Sequence, residues 1–107
     1  MAFDIGATLE DMLSAAGNVL NKEAPKVKKC LRAAMEAEKD ALAEIAKARL
    51  DDEITDEDMQ KQIADEKDAL RAALLVCQVK SKVAMQKAVN AAADVFSNAV
   101  KAALKVI

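Results

Sequence analysis

No histidine, tryptophan or tyrosine occurs in this chain of 107 residues, phenylalanine occurs twice, glycine twice and proline once. Without histidine, Ser-His-Asp and Cys-His catalysis, His-ligated haem and the Glu-x-x-His pattern of di-iron bundles are all excluded. With Gly6 and Gly17 as the only glycines, there is no Gly-rich loop to cradle a phosphate. The scarcity of base-stacking aromatics, together with a net charge of −2, argues against a dedicated nucleic-acid binder. These exclusions leave no residue to name as catalytic or cofactor-binding, and neither a cofactor nor an enzyme activity is expected.

Long apolar runs and targeting features are scarce as well. The uncharged stretch Ala72–Val79 is far too short to span a bilayer. The start Met1-Ala2-Phe3-Asp4 has neither a basic n-region nor an apolar h-region, so no signal peptide is expected. Two cysteines in that setting suggest reduced thiols and a cytoplasmic protein, although leaderless secretion would escape the argument.

What the chain does have is helix-forming material: 53% apolar residues, 32% charged residues and 24 alanines. This is the profile of long helices with thin, close contacts between them. From Ile63, steps of four, three and four give a seam through Leu70, Leu74, Cys77, Ser81, Met85, Ala88, Ala92, Phe96, Ala99, Ala103 and Ile107, in which only Ser81 is polar. Ile63, Leu74, Met85, Phe96 and Ile107 form a ladder of large residues at a spacing of eleven. An eleven-residue repeat is about 3.67 residues per turn, so it predicts a straight or slightly right-handed rod. One continuous helix over about 56–105 would be roughly 75 Å long.

Upstream, Leu9, Met12, Leu13, Ala16 and Leu20 recur at helical spacing after Thr8-Leu9-Glu10-Asp11, which has capping-box spacing. They predict a first helix over about 8–21. Pro25 disfavours a helical Ala24 and suits the first turn of a second helix over about 25–51, with a seam of Val27, Leu31, Met35, Glu38, Leu42 and Ile45. Six of the eight residues 51–58 are acidic, and Thr55 with Asp58 forms a second capping box. An acidic turn at 51–55 therefore folds the chain into an antiparallel hairpin in which residue numbers summing to about 106 lie level. Residues 1–22 carry −2 and residues 80–107 carry +4, which favours a first arm collinear through Pro25 and lying along the C-terminal arm. The competing arrangement folds the first helix back at Pro25.

Four features invite chemistry. Glu38 and Glu66 are seam positions four residues before Leu42 and Leu70, and in a dimer of hairpins such carboxylates would converge on a metal or raise one another's pKa. The plainer alternative has them reach outward to Lys39, Lys67 or Arg71. Cys30 and Cys77 fall nearly level across the hairpin, where a disulfide, a redox switch or a soft-metal pair competes with two small buried thiols in a tight helix contact, which is the expectation here. A calcium loop from Asp51 fails, because its sixth and twelfth positions are Asp56 and Gln62. Finally, Lys87, Asn90, Asp94, Asn98, Lys101 and Lys105 form a narrow polar stripe opposite a wide apolar face, suited either to a membrane surface or to packing against several helices.

The expectation is an all-α protein: a long antiparallel helical hairpin, broken or kinked at Pro25, that self-associates into a four-helix bundle or larger assembly through Ile63, Leu70, Leu74, Met85, Phe96, Ile107, Leu31, Met35, Leu42, Leu13 and Leu20. A two-helix hairpin would leave Ala73, Val76, Ala84, Val95 and Val106 uncovered, which argues for more than one copy. In layout this is similar to secreted helical hairpins and secretion-system needle subunits. The function expected is structural or protein-binding, with a homo-oligomer or another helical protein as partner. A lipid-surface protein is the alternative, and a carboxylate or thiol metal carrier a remote third.

Overall fold

Asp4 starts the first helix, α1 (Ile5–Val19): its backbone is extended and its Oδ1 accepts the Ala7 amide at 3.1 Å. The computed structural model describes residues 3–20, 25–79 and 81–106, and four further helices follow: α2 (Pro25–Ala37), α3 (Lys39–Leu50), α4 (Asp56–Val76) and α5 (Lys82–Val106). The fold is all-α, with no strand among the described residues. Thr8, expected to cap, lies inside α1 instead, where its hydroxyl donates to the Asp4 carbonyl at 2.8 Å. The second helix does begin at Pro25, and the break expected at residues 22–24 lies outside the described residues.

The acidic turn forms where its sequence places it. Thr55 and Asp58 make a reciprocal capping box, and Asp56, Glu57 and Asp58 occupy the first turn of α4, where the helix dipole favours negative charge. Across this turn Cys30 meets Cys77, Glu38 meets Glu66, and Arg49 bonds Asp56 at 2.6 Å.

The continuous rod does not form. Its helix stops at Cys77 in a Schellman turn, with the Gln78 amide donating to the Leu75 carbonyl at 3.1 Å and the Val79 amide to the Leu74 carbonyl at 3.4 Å. Gln78 takes a left-handed φ of 63°, and buried Val79 lies against the fully buried Leu74. Ser81, the one polar residue of the seam, then caps α5 by accepting the Ala84 amide at 3.1 Å. The expected second helix is likewise two: the Glu38 amide donates to Met35 at i−3, which steps the arm between α2 and α3.

With the rod broken, α5 returns along α4. Gln60 donates to Ser97 and Arg71 to Gln86, a pairing that fixes these two helices antiparallel. The first helix also folds back, since Arg32 bonds Glu10 at 2.9 Å across α1 and α2. That corrects the collinear first arm. At the same time α1 runs antiparallel along α5, its most extensive contact, with Phe3 edge-on to Phe96 at 6.0 Å and Ala16, Ala88 and Ala92 permitting close approach. The contact between the first helix and residues 85–100 was expected; the route to it was not.

Four antiparallel arms therefore share one core: α1, α2 with α3, α4 and α5. The longest dimension is 41 Å, where a single rod needed nearly twice that. Ile63, Leu70, Leu74, Met85, Phe96, Leu31, Met35, Leu42 and Leu20, expected between copies, are buried within one chain. Leu13 is half-buried, and Ile107 lies outside the described residues. The ladder needs no second copy to cover it, because three reversals of the backbone supply four helical surfaces from one sequence.

Candidate functional site

At mid-height of the bundle, α1, α4, α5 and the α2–α3 junction surround a small cavity floored by Met12, Met35, Ile63, Leu70, Val89 and Phe96. Glu38, Glu66 and Lys67 stand at its mouth, each half-buried. Glu38 is the residue at the step between α2 and α3, and Glu66 is its level partner on α4. The sequence places both on seam positions, and the structure leaves both half-buried at the edge of the apolar interior. The side-chain contact with Glu38 is the main cause, and burial a second, that pushes the Glu66 carboxyl up to about 7, with Asp65 adding like charge.

The outward-reaching reading of these glutamates is thus corrected. Arg71, one of their expected partners, is occupied by Asp68 and Gln86. The Glu66 carboxyl is raised toward neutrality, yet the cavity, at about 20 Å³, has room for a water and not for an organic substrate. Among the described residues no three His, Cys, Asp or Glu side chains converge to hold a metal.

The second candidate is the corner where α4 turns into α5. Cys30 on α2 and Cys77 at the end of α4 are joined by a disulfide, with their Cα atoms 5.6 Å apart. The reading of these residues as free buried thiols is corrected. The expected level register brought them together, and bonding them removes both thiols as metal ligands. It also removes the support that reduced thiols gave to a cytoplasmic setting. Beside the disulfide, Leu75, Val76 and Val83 are 59%, 80% and 65% exposed. Val76 belongs to the set expected to be uncovered; Leu75 and Val83 do not, because the continuous rod concealed that they would sit on the outside of a turn.

The wide apolar face of α5 has a different fate. Met85, Ala88, Val89, Ala92, Phe96 and Val100 are buried, while Lys87, Asp94, Asn98, Lys101 and Lys105 are exposed and Asn90 is half-buried. The face is filled by α1 and α4, the packing alternative rather than the lipid one. No described helix is long and apolar enough to cross a membrane. No protein-family model, curated protein or solved structure matches the chain.

Proposed function

We propose that the protein is a non-catalytic helical module that works by binding protein, with a second copy of itself as partner. The observation that carries this reading is the exposed aliphatic corner Leu75, Val76 and Val83, in a chain that buries Leu31, Leu42, Ile63, Leu70 and Leu74. Covering a large aliphatic side chain contributes roughly 1.5–3 kcal/mol, so three together at one corner favour association. The carboxylate pair, beside a cavity too small for a substrate, offers no competing catalytic site.

Light scattering over a concentration series tests this. Wild type should gain mass with concentration, and Leu75→Ser/Val76→Ser should remain monomeric with unchanged helix content. A wild type that stays monomeric up to millimolar concentration overturns the reading.

A further inference from the structure

The bundle divides its charge by height. The described residues on the disulfide side of the central cavity, 10–20, 25–35, 69–79 and 81–88, hold seven Lys or Arg and two acids, Glu10 and Asp11. Those on the other side, 3–9, 36–68 and 89–106, hold seven Lys or Arg and fifteen Asp or Glu. This division is invisible along the sequence. It arises because the three reversals of direction stack acid-poor stretches from different arms at one end and the acidic turn at the other.

Each end also carries an apolar feature. At the basic end the exposed Leu75, Val76 and Val83 form a knob, with exposed Lys82 next to Val83 in sequence and exposed Lys29 next to the Cys30 that is bonded to Cys77. At the acidic end an open groove between α1 and α3 is lined by half-buried Phe3, Ile5, Ala43 and Leu50, with Lys47 and Asp51 at its rim. Asp4, Asp52 and Glu53 lie next to groove residues in the chain or one step beyond, all exposed.

We propose, resting on the self-association reading above, that copies of this chain associate head to tail, the basic aliphatic knob of one docking on the acidic groove of the next. The knob and groove lie toward opposite ends of a molecule 41 Å long, so one rigid bundle does not close them on itself. A symmetric knob-to-knob contact would bring two net-basic ends together, which Coulomb repulsion opposes. A heterologous contact of this kind propagates into open chains or closes as a ring. Its strength is bounded by size. A cross-section of 23 × 19 Å offers well under the roughly 800 Å² per partner of a standard interface. Association is accordingly weak, fast and dependent on opposite charge, and it is favoured at low salt and high concentration.

The test compares wild type with two charge-reversed variants, Lys29→Glu/Lys82→Glu at the knob and Asp51→Lys/Glu53→Lys at the groove, by sedimentation at low and high salt. Circular dichroism verifies that all three are folded. Wild type should form species larger than dimers at low salt and lose them at high salt. Each variant alone should associate about tenfold more weakly or worse, and an equimolar mixture should regain species larger than dimers at low salt, because the unreversed knob of one variant meets the unreversed groove of the other and the reversed knob meets the reversed groove. If the groove variant associates as wild type does, the head-to-tail geometry is wrong while self-association stands. If wild type is monomeric at every salt, self-association itself fails. If that monomer instead sediments with phosphatidylserine vesicles and the knob variant does not, the knob is a lipid-surface contact and both readings are overturned.

Discussion

Glu38 and Glu66 show how one residue's surroundings decide its ionisation. In water a glutamate is charged at neutral pH; beside Glu38 and half-buried over an apolar cavity, the Glu66 carboxyl is pushed up to about 7 from 4.5. The native state therefore binds this proton more tightly than the unfolded chain does. A raised carboxyl contributes stability that is full below about 4.5 and is lost as pH rises through about 7. Solvent at the cavity mouth screens the pair, which limits the effect to about 1 kcal/mol. Glu66→Gln retains a donor toward Glu38 and has no proton to lose. Urea midpoints should accordingly coincide for the two proteins at pH 4.5 and favour the variant by about 1 kcal/mol at pH 8.5. A wild type that gains stability across that interval would show that the Glu66 carboxyl is not raised.

At the scale of elements, the two Schellman turns decide the topology. One is at Cys77–Val79; the other ends α3, where the Asp52 and Glu53 amides donate to Arg49 and Ala48 at 3.2 and 2.8 Å. Both need a left-handed residue, and both hold a side chain there, Asp52 at φ 60° and Gln78 at φ 63°. Glycine is the usual occupant because it avoids a steric cost of about 1–2 kcal/mol. Gln78→Gly should thus stabilise the protein by about 1 kcal/mol in urea unfolding, offset in part by the greater freedom of glycine in the unfolded chain. Destabilisation would mean that the Gln78 side chain contributes more than its backbone costs. The same turn explains which parts of the fold were legible in the sequence. Thr55 and Asp58 announced the start of α4, and the register of the hairpin followed from the turn they flank, which placed Cys30 opposite Cys77 and Glu38 opposite Glu66. The end of α4 was concealed because Gln78 gives no glycine signal and the eleven-residue ladder continues straight through the break. Ser81 was the one legible sign, a polar N-cap residue in an otherwise apolar seam. The exposed corner depends wholly on that break, so it was as hidden as the break itself. The disulfide reinforces the turn: a link across 47 residues removes about 4 kcal/mol of unfolded-chain entropy in the loop-closure model.

The whole molecule is a bundle of two oppositely charged halves, each crowded with charge of its own sign, which sets its response to salt in two opposite directions. The five ion pairs among the described residues each include a carboxylate at least 59% exposed, and pairs of that kind contribute about 0–1 kcal/mol each. Against them stands repulsion within each end, above all in the acidic turn, where six of eight consecutive residues are acidic. Two like charges 10 Å apart in water repel by about 0.4 kcal/mol, and each end contains many such pairs. The Debye length is about 10 Å at 0.1 M salt, much shorter than the 41 Å molecule, so attraction between its own ends does little to offset this. Raising salt from about 10 mM to 1 M, where the Debye length falls to about 3 Å, should therefore raise the thermal midpoint of dilute protein while it dissolves the head-to-tail assembly. Glu53→Lys should act like salt on the fold, raising the midpoint by about 2–5 °C at low salt, for a gain of several tenths of a kcal/mol, and by almost nothing at 1 M. Scanning calorimetry of wild type and variant at the two salt concentrations decides the matter. A wild-type midpoint that falls with salt would mean that the ion pairs, and not the segregated charge, dominate the electrostatics of the fold.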